Sequence, residues 1–118
     1  MDSDHPLMKN ALKKIQDYAE SADSIIEDIE SAYTTAVFTF DFELLDEAKG
    51  FAKEALDRLN AYLKDQDEKY DQLVKTLNIF GKYDDSDIIV MLWDFKRPIM
   101  YRVQRLNKLI ASIDEVFT

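Results

Sequence analysis

Apolar side chains recur along this chain at steps of three and four residues, the spacing that lays them on one face of an α-helix. Met8, Leu12, Ile15, Ala19, Ala22, Ile26, Ile29, Tyr33, Ala36 and Phe40 alternate fours and threes without a miss. Ala11, Tyr18, Ile25 and Ala32 widen this seam along one flank, and Lys13, Asp17, Glu20, Ser24, Glu27 and Ser31 lie opposite. A seam with one widened flank suits a helix that packs on two neighbours. Asp4 is a candidate cap, with Pro6 in the first turn, where its missing N–H costs nothing.

A second segment repeats the pattern through Leu45, Ala48, Ala52, Ala55, Leu59, Leu63, Gln66, Tyr70, Leu73, Leu77 and Phe80. Asp41 or Thr39 is its expected cap and Gly81 its expected stop. Its weak point is the polar run at residues 64–69, where Gln66 is the only seam position. No glycine or proline marks a turn there, so one continuous helix is predicted. A break at 64–69 would instead give four helices.

The third segment follows a loop in which Asp84 and Ser86 are candidate caps. Its seam is Ile88, Leu92, Phe95, Ile99, Val103, Leu106, Ile110, Ile113 and Phe117. Pro98 falls inside it and removes one backbone hydrogen bond while crowding the carbonyl of Asp94. The seam keeps its phase across Pro98 with a one-residue adjustment, which predicts a kinked but continuous helix. Residues 33–42 and 87–93 are rich in β-branched and aromatic side chains and lean towards strand by propensity. Periodicity is the stronger signal, and it favours helix in both places.

Helices of roughly 36, 37 and 32 residues, at ~1.5 Å per residue, make rods of roughly 50 Å. With short connections they must run up, down, up. The predicted fold is all-α: an elongated antiparallel three-helix bundle, with residues 1–118 as a single domain.

Composition sharpens this picture. Two glycines and two prolines in 118 residues fit long helices. The longest apolar run, residues 88–93, is far short of the roughly 20 residues that span a bilayer. No signal-like segment opens the chain, so a soluble, cytoplasmic protein is expected. The net charge of −9 is concentrated: residues 1–47 hold twelve acids against three lysines, and each later third is balanced, six against six. Such a surface repels nucleic acid and anionic lipid and favours basic partners.

Catalytic and metal chemistry finds little to work with. There is no cysteine, and the lone histidine is His5, so neither a zinc set nor a nucleophile–base pair can be assembled from these residue types. The acids at 84–87 resemble the start of a calcium loop but lack its later glycine and closing glutamate. No enzyme activity, cofactor or metal is expected.

Three surface features remain. The first is the acidic run Asp17, Glu20, Asp23, Glu27, Asp28 and Glu30, either a solvated face or a mimic of a phosphate backbone. The second is the basic cluster Lys96, Arg97, Arg102, Arg105 and Lys108. In an up–down–up bundle it lies level with residues of about 17–30, so opposite charges would meet and help set the handedness. The third is a set of apolar residues off the seams: Val37, Phe38, Phe42, Phe51, Met91, Trp93 and Met100. They form either an end-cap cluster or an exposed patch that binds protein.

The function predicted is a non-catalytic protein-interaction module, an adaptor, inhibitor or chaperone-like factor. Its expected contact residues are the six acids just named together with Val37, Phe38, Phe42 and Trp93. The expected partner is another protein with a basic or apolar groove, without direct contact to nucleic acid or membrane, and with homo-oligomerisation open. The alternative is an acidic decoy that blocks a nucleic-acid-binding protein, in the general style of small phage-encoded anti-defence inhibitors.

Overall fold

Asp41 and Asp84 divide the chain into three helices. The computed structural model describes residues 6–118, in which α1 spans Pro6–Thr39, α2 Phe42–Leu77 and α3 Asp85–Phe117. Asp4 as a cap and His5 lie outside the described residues. The Asp41 carboxylate accepts the N–H of Leu44 at 3.0 Å. Asp84 accepts from the N–H of Asp87 at 2.8 Å while Asp87 accepts from the N–H of Asp84 at 3.3 Å, a reciprocal box that satisfies two orphan donors. Each helix packs on both others, in a rod of 60 × 24 × 20 Å. α2 runs unbroken through residues 64–69, so the three-helix form holds. Residues 33–39 and 87–93 are helical, and no strand occurs among the described residues. No helix among them is long and apolar enough to cross a membrane.

The two connections explain where the seams fail. α1 stops at Thr39, and Phe40 turns into the left-handed region with φ 54°. Its N–H donates to the carbonyl of Val37 at 3.5 Å, and that of Asp41 donates to the carbonyl of Ala36 at 3.0 Å. This is the Schellman closure, with phenylalanine where glycine usually sits. Phe40 therefore leaves the seam and stands 79% exposed. α2 stops at Leu77, three residues before the expected end, because Asn78 breaks it. The Asn78 side-chain oxygen accepts the N–H of Tyr83 at 2.7 Å, a local bond that competes with helix continuation. Phe80, expected in the seam, is 96% exposed. Gly81 takes the left-handed turn here, at φ 66°.

Between the ends the seams hold. Met8, Ile15, Ala19, Ile26, Ile29 and Ala36 of α1 are buried, as are Leu45, Ala48, Ala52 and Leu59 of α2. Three positions outside the predicted seams, Val74, Met91 and Leu109, are also buried, while Phe117 is exposed. An α-helix drifts about 20° per heptad against a strict seven-residue repeat, which rotates the buried stripe by a residue over such lengths. At the polar waist of α2, Tyr70 supplies the missing apolar surface by stacking on Phe95 of α3, ring centroids 4.5 Å apart.

Pro98 lies inside α3, which continues through it. Pro98 has no N–H to offer the Asp94 carbonyl, while its own carbonyl accepts from Nη1 of Arg102 at 3.1 Å. Replacing it with alanine restores the missing donor and removes the ring. Pro98→Ala is expected to raise stability by roughly 1–3 kcal/mol. Thermal melts of the two proteins check this, and an unchanged or lowered midpoint would show that the ring itself is needed in the packing.

Candidate functional site

The acidic run of α1 divides in two. Asp23 receives Nε and Nη2 of Arg102, both at 3.0 Å, and Glu30 receives Nε of Arg105 at 3.0 Å. The Arg102 hydrogen bonds hold the Asp23 carboxyl below its ordinary range; partial burial opposes them, and the charges of Arg102 and Arg105 assist. In return the hydrogen bond to Glu30 raises the basicity of Arg105. These two carboxylates belong to the α1–α3 interface. Asp17, Glu20, Glu27 and Asp28 stay exposed; Glu20 accepts from Gln16 at 2.8 Å. The side chains of Asp17 and Asp28 carry no ion pair or hydrogen bond among the described residues.

The basic cluster is split in a similar way. Arg102 and Arg105 meet the acids of α1 at the level that the antiparallel order requires. Lys96 does not; its Nζ lies 3.0 Å from Asp67 of α2. Arg97 pairs within α3, 3.2 Å from Asp94. At ~100° per residue, Lys96 sits a third of a turn around α3 from Arg102 and so faces the other neighbour.

The aromatic residues are exposed rather than folded into an end cap. Phe38 is 81% exposed, and Val37, Phe40, Phe42, Val116 and Phe117 stand exposed around the same end, where α1 stops, α2 begins and α3 stops. Phe42 and Phe117 touch in a tilted pair with centroids 6.3 Å apart. Trp93 is also exposed but belongs to the opposite end, near the start of α3, with Ile89 and Val90 and beyond the turn that carries Ile79 and Phe80. The expected contact residues therefore form two groups, Val37, Phe38 and Phe42 at one end and Trp93 towards the other. Of the remaining off-seam residues, Met91 is fully buried and Met100 half-buried.

A further feature escaped the sequence reading. Between α1 and α2 runs an open groove of about 470 Å³, with Ile25, Ala32, Leu44, Ala48, Phe51 and Ala55 along its walls and floor. Asp28, Glu47, Glu54 and Arg58 rim it, and no residue of α3 takes part. The signal was present in the widened flank of α1. Ala11 and Ala32 of that flank pack against the core, and Tyr18 stacks on Tyr62 of α2 at 3.5 Å. Ile25, the next member after Tyr18, stays 57% exposed in the groove, whose α2 side carries Ala48 and Ala55 beside Leu44 and Phe51.

Among the described residues no group of three or more histidines or carboxylates is placed to hold a metal ion. Comparison of the chain with protein-family models, with curated proteins and with solved structures returns no match.

Proposed function

We propose that this protein is a non-catalytic interaction module, an adaptor, inhibitor or chaperone-like factor, whose contact surface is the aromatic end together with the exposed acids of α1 that run back along the rod from it. One observation carries this reading. Phe40 occupies a left-handed turn position that glycine fills without strain, and its ring stands in solvent. A non-glycine residue there costs about 1–2 kcal/mol. The ring gives little back in burial, so its place in the sequence is better explained by what it touches outside the chain. Phe38, Phe42 and Phe117 extend the patch, and rigid aromatic side chains are the usual anchors of protein interfaces.

The acidic decoy is the weaker reading, because Arg102 and Arg105 already neutralise Asp23 and Glu30. It keeps the support of Asp17, Glu27 and Asp28, which remain available to a basic partner.

The double variant Phe38→Ser, Phe40→Gly separates stability from binding. Relief of the turn is expected to leave its melting midpoint at or above that of the wild type, by about 1 kcal/mol at most. Capture of the partner from the native host on the tagged protein is expected to fall at least about tenfold, with shallow salt dependence. Undiminished capture would end the aromatic-end reading. If capture instead weakens steeply with salt and is abolished by Glu27→Lys with Asp28→Lys, the decoy reading takes its place. Glu30 is left intact in that variant because reversing it would break the Arg105 pair.

A further inference from the structure

We infer that the α1–α2 groove seats one amphipathic helix from a basic partner protein. This rests on the reading of the chain as an interaction module and gives it a second, chemically defined surface, which begins about one turn along α2 from the aromatic end.

Shape comes first. The groove residues of α2, from Leu44 to Arg58, follow steps of three and four, and Ile25, Ile29 and Ala32 run alongside on α1. Two antiparallel helices with alanines between them leave a trough parallel to both. The span on α2 amounts to about 20 Å, the length of a helix of roughly fourteen residues. Ile25 and Phe51, 57% and 58% exposed, stand as apolar walls on either side. An amphipathic helix laying its stripe of i, i+3, i+4 and i+7 side chains into such a trough is a recurrent mode of recognition.

Charge then selects the occupant. The side chains of Asp28 and Glu47 on the rim have no ion pair or hydrogen bond among the described residues. Glu54 pairs with Arg58 of its own helix at 3.2 Å, and both are largely exposed. The rim is thus net negative, on a chain of net charge −9. A second copy docked about a two-fold axis would bring the same rim against itself, Asp28 and Glu47 facing like charges. A helix flanked by lysines or arginines meets the rim with opposite charge and the trough with apolar side chains. The occupant is therefore a basic amphipathic helix rather than another copy.

The probe is a fluorescein-labelled, sixteen-residue amidated peptide with leucine at steps of three and four and lysine elsewhere. It is titrated with the full chain and followed by anisotropy. Two peptides serve as comparisons: one with glutamate in place of lysine, and one with the lysine composition scrambled out of helical register. Saturable one-to-one binding of the first peptide alone is expected. Ile25→Ser with Phe51→Ser should weaken it at least about tenfold while the helical circular dichroism stays that of the wild type, both residues being more than half in solvent. Asp28→Lys with Glu47→Lys should weaken it similarly and flatten its salt dependence. The Phe38→Ser, Phe40→Gly variant should bind as the wild type does.

The inference is overturned by no saturable binding; by equal binding of the scrambled or glutamate peptide; by binding indifferent to the Ile25 and Phe51 changes; or by a wild-type dimer in sedimentation that those changes dissociate, which would give the groove to a second copy. Loss of peptide binding in the Phe38, Phe40 variant would move the peptide to the aromatic end. If the peptide fails while partner capture still depends on Phe38 and Phe40, only the groove falls and the module reading stands.

Discussion

Phe95→Ala is expected to remove about 3–5 kcal/mol of folding stability, the largest loss available from a single side chain in this bundle. Phe95 is fully buried and its ring lies nearly parallel to that of Tyr70, 13° apart in plane. Its position makes the loss hard to recover. Across from it, α2 passes through the polar run at 64–69, where Gln66 stands in the seam and offers only two methylenes before its polar amide. On its own helix Pro98 follows one turn later, and Ile99 is already committed to the core. The cavity would persist, and cavity-leaving substitutions lie at the upper end of their range when the surroundings cannot collapse. A domain of this size has roughly 5–15 kcal/mol in total, so the midpoint should drop by about 12–20 °C. Urea unfolding at pH 7 checks the free energy and a thermal melt the midpoint, with Phe38→Ala as the internal control. That ring is in solvent, and its removal is expected to change stability by less than about 0.5 kcal/mol. Equal effects from the two substitutions would mean that the aromatic pair does not close the waist.

The contrast between Phe95 and Phe38 marks what could be read from the sequence. Phe95 sits on a three-and-four seam, and that spacing is a property of one helix, so burial follows before any neighbour is known. The seam from Met8 to Ala36 was legible for the same reason. Phe40 and Phe80 kept the right spacing but lost the helix under them, because each end is fixed by local bonds: the Schellman closure over residues 36–41 and the Asn78 side chain. Periodicity carries no information about either. The level-matching of charges succeeded for Arg102 and Arg105, since height along a rod depends only on element order. It failed for Lys96, since azimuth depends on which way round the helices are arranged. The groove at Ile25 and Phe51 needed a still finer quantity, the width of the gap between the widened flank of α1 and the facing side of α2. The separation of Trp93 from Phe38 needed only the element order, which the predicted up–down–up topology already implied.

Arg102→Glu is expected to cost about 2–3 kcal/mol, the second large effect. Arg102 and Asp23 form a two-pronged contact with side chains 17% and 32% exposed, sheltered enough for charge-assisted bonds to count. Glutamate there loses both bonds and puts a carboxylate beside Asp23 and near Glu30. Adding Asp23→Arg to the same chain should return at least half of the loss, because the pair is rebuilt with its ends exchanged. The pH dependence gives an independent check. In the wild type the Asp23 carboxyl is depressed, so its contribution is present above the unfolded value near ~3.9 and is lost only as pH falls through the lower folded value. In Arg102→Glu the two carboxylates repel, so protonation at about pH 4 relieves the variant before it harms the wild type. The gap between their urea midpoints should therefore narrow from pH 7 to pH 4. A gap that stays constant, or an exchanged pair no better than the single variant, would reduce these bridges to surface decoration. The same contact favours the observed placing of α2 and α3 around α1. With α2 and α3 exchanged around α1, Arg102 and Arg105 would face the flank of Tyr18, Ile25 and Ala32, burying guanidinium groups against apolar side chains and leaving Asp23 and Glu30 without partners. The observed hand keeps charge with charge on one side of α1 and the apolar flank towards α2 on the other.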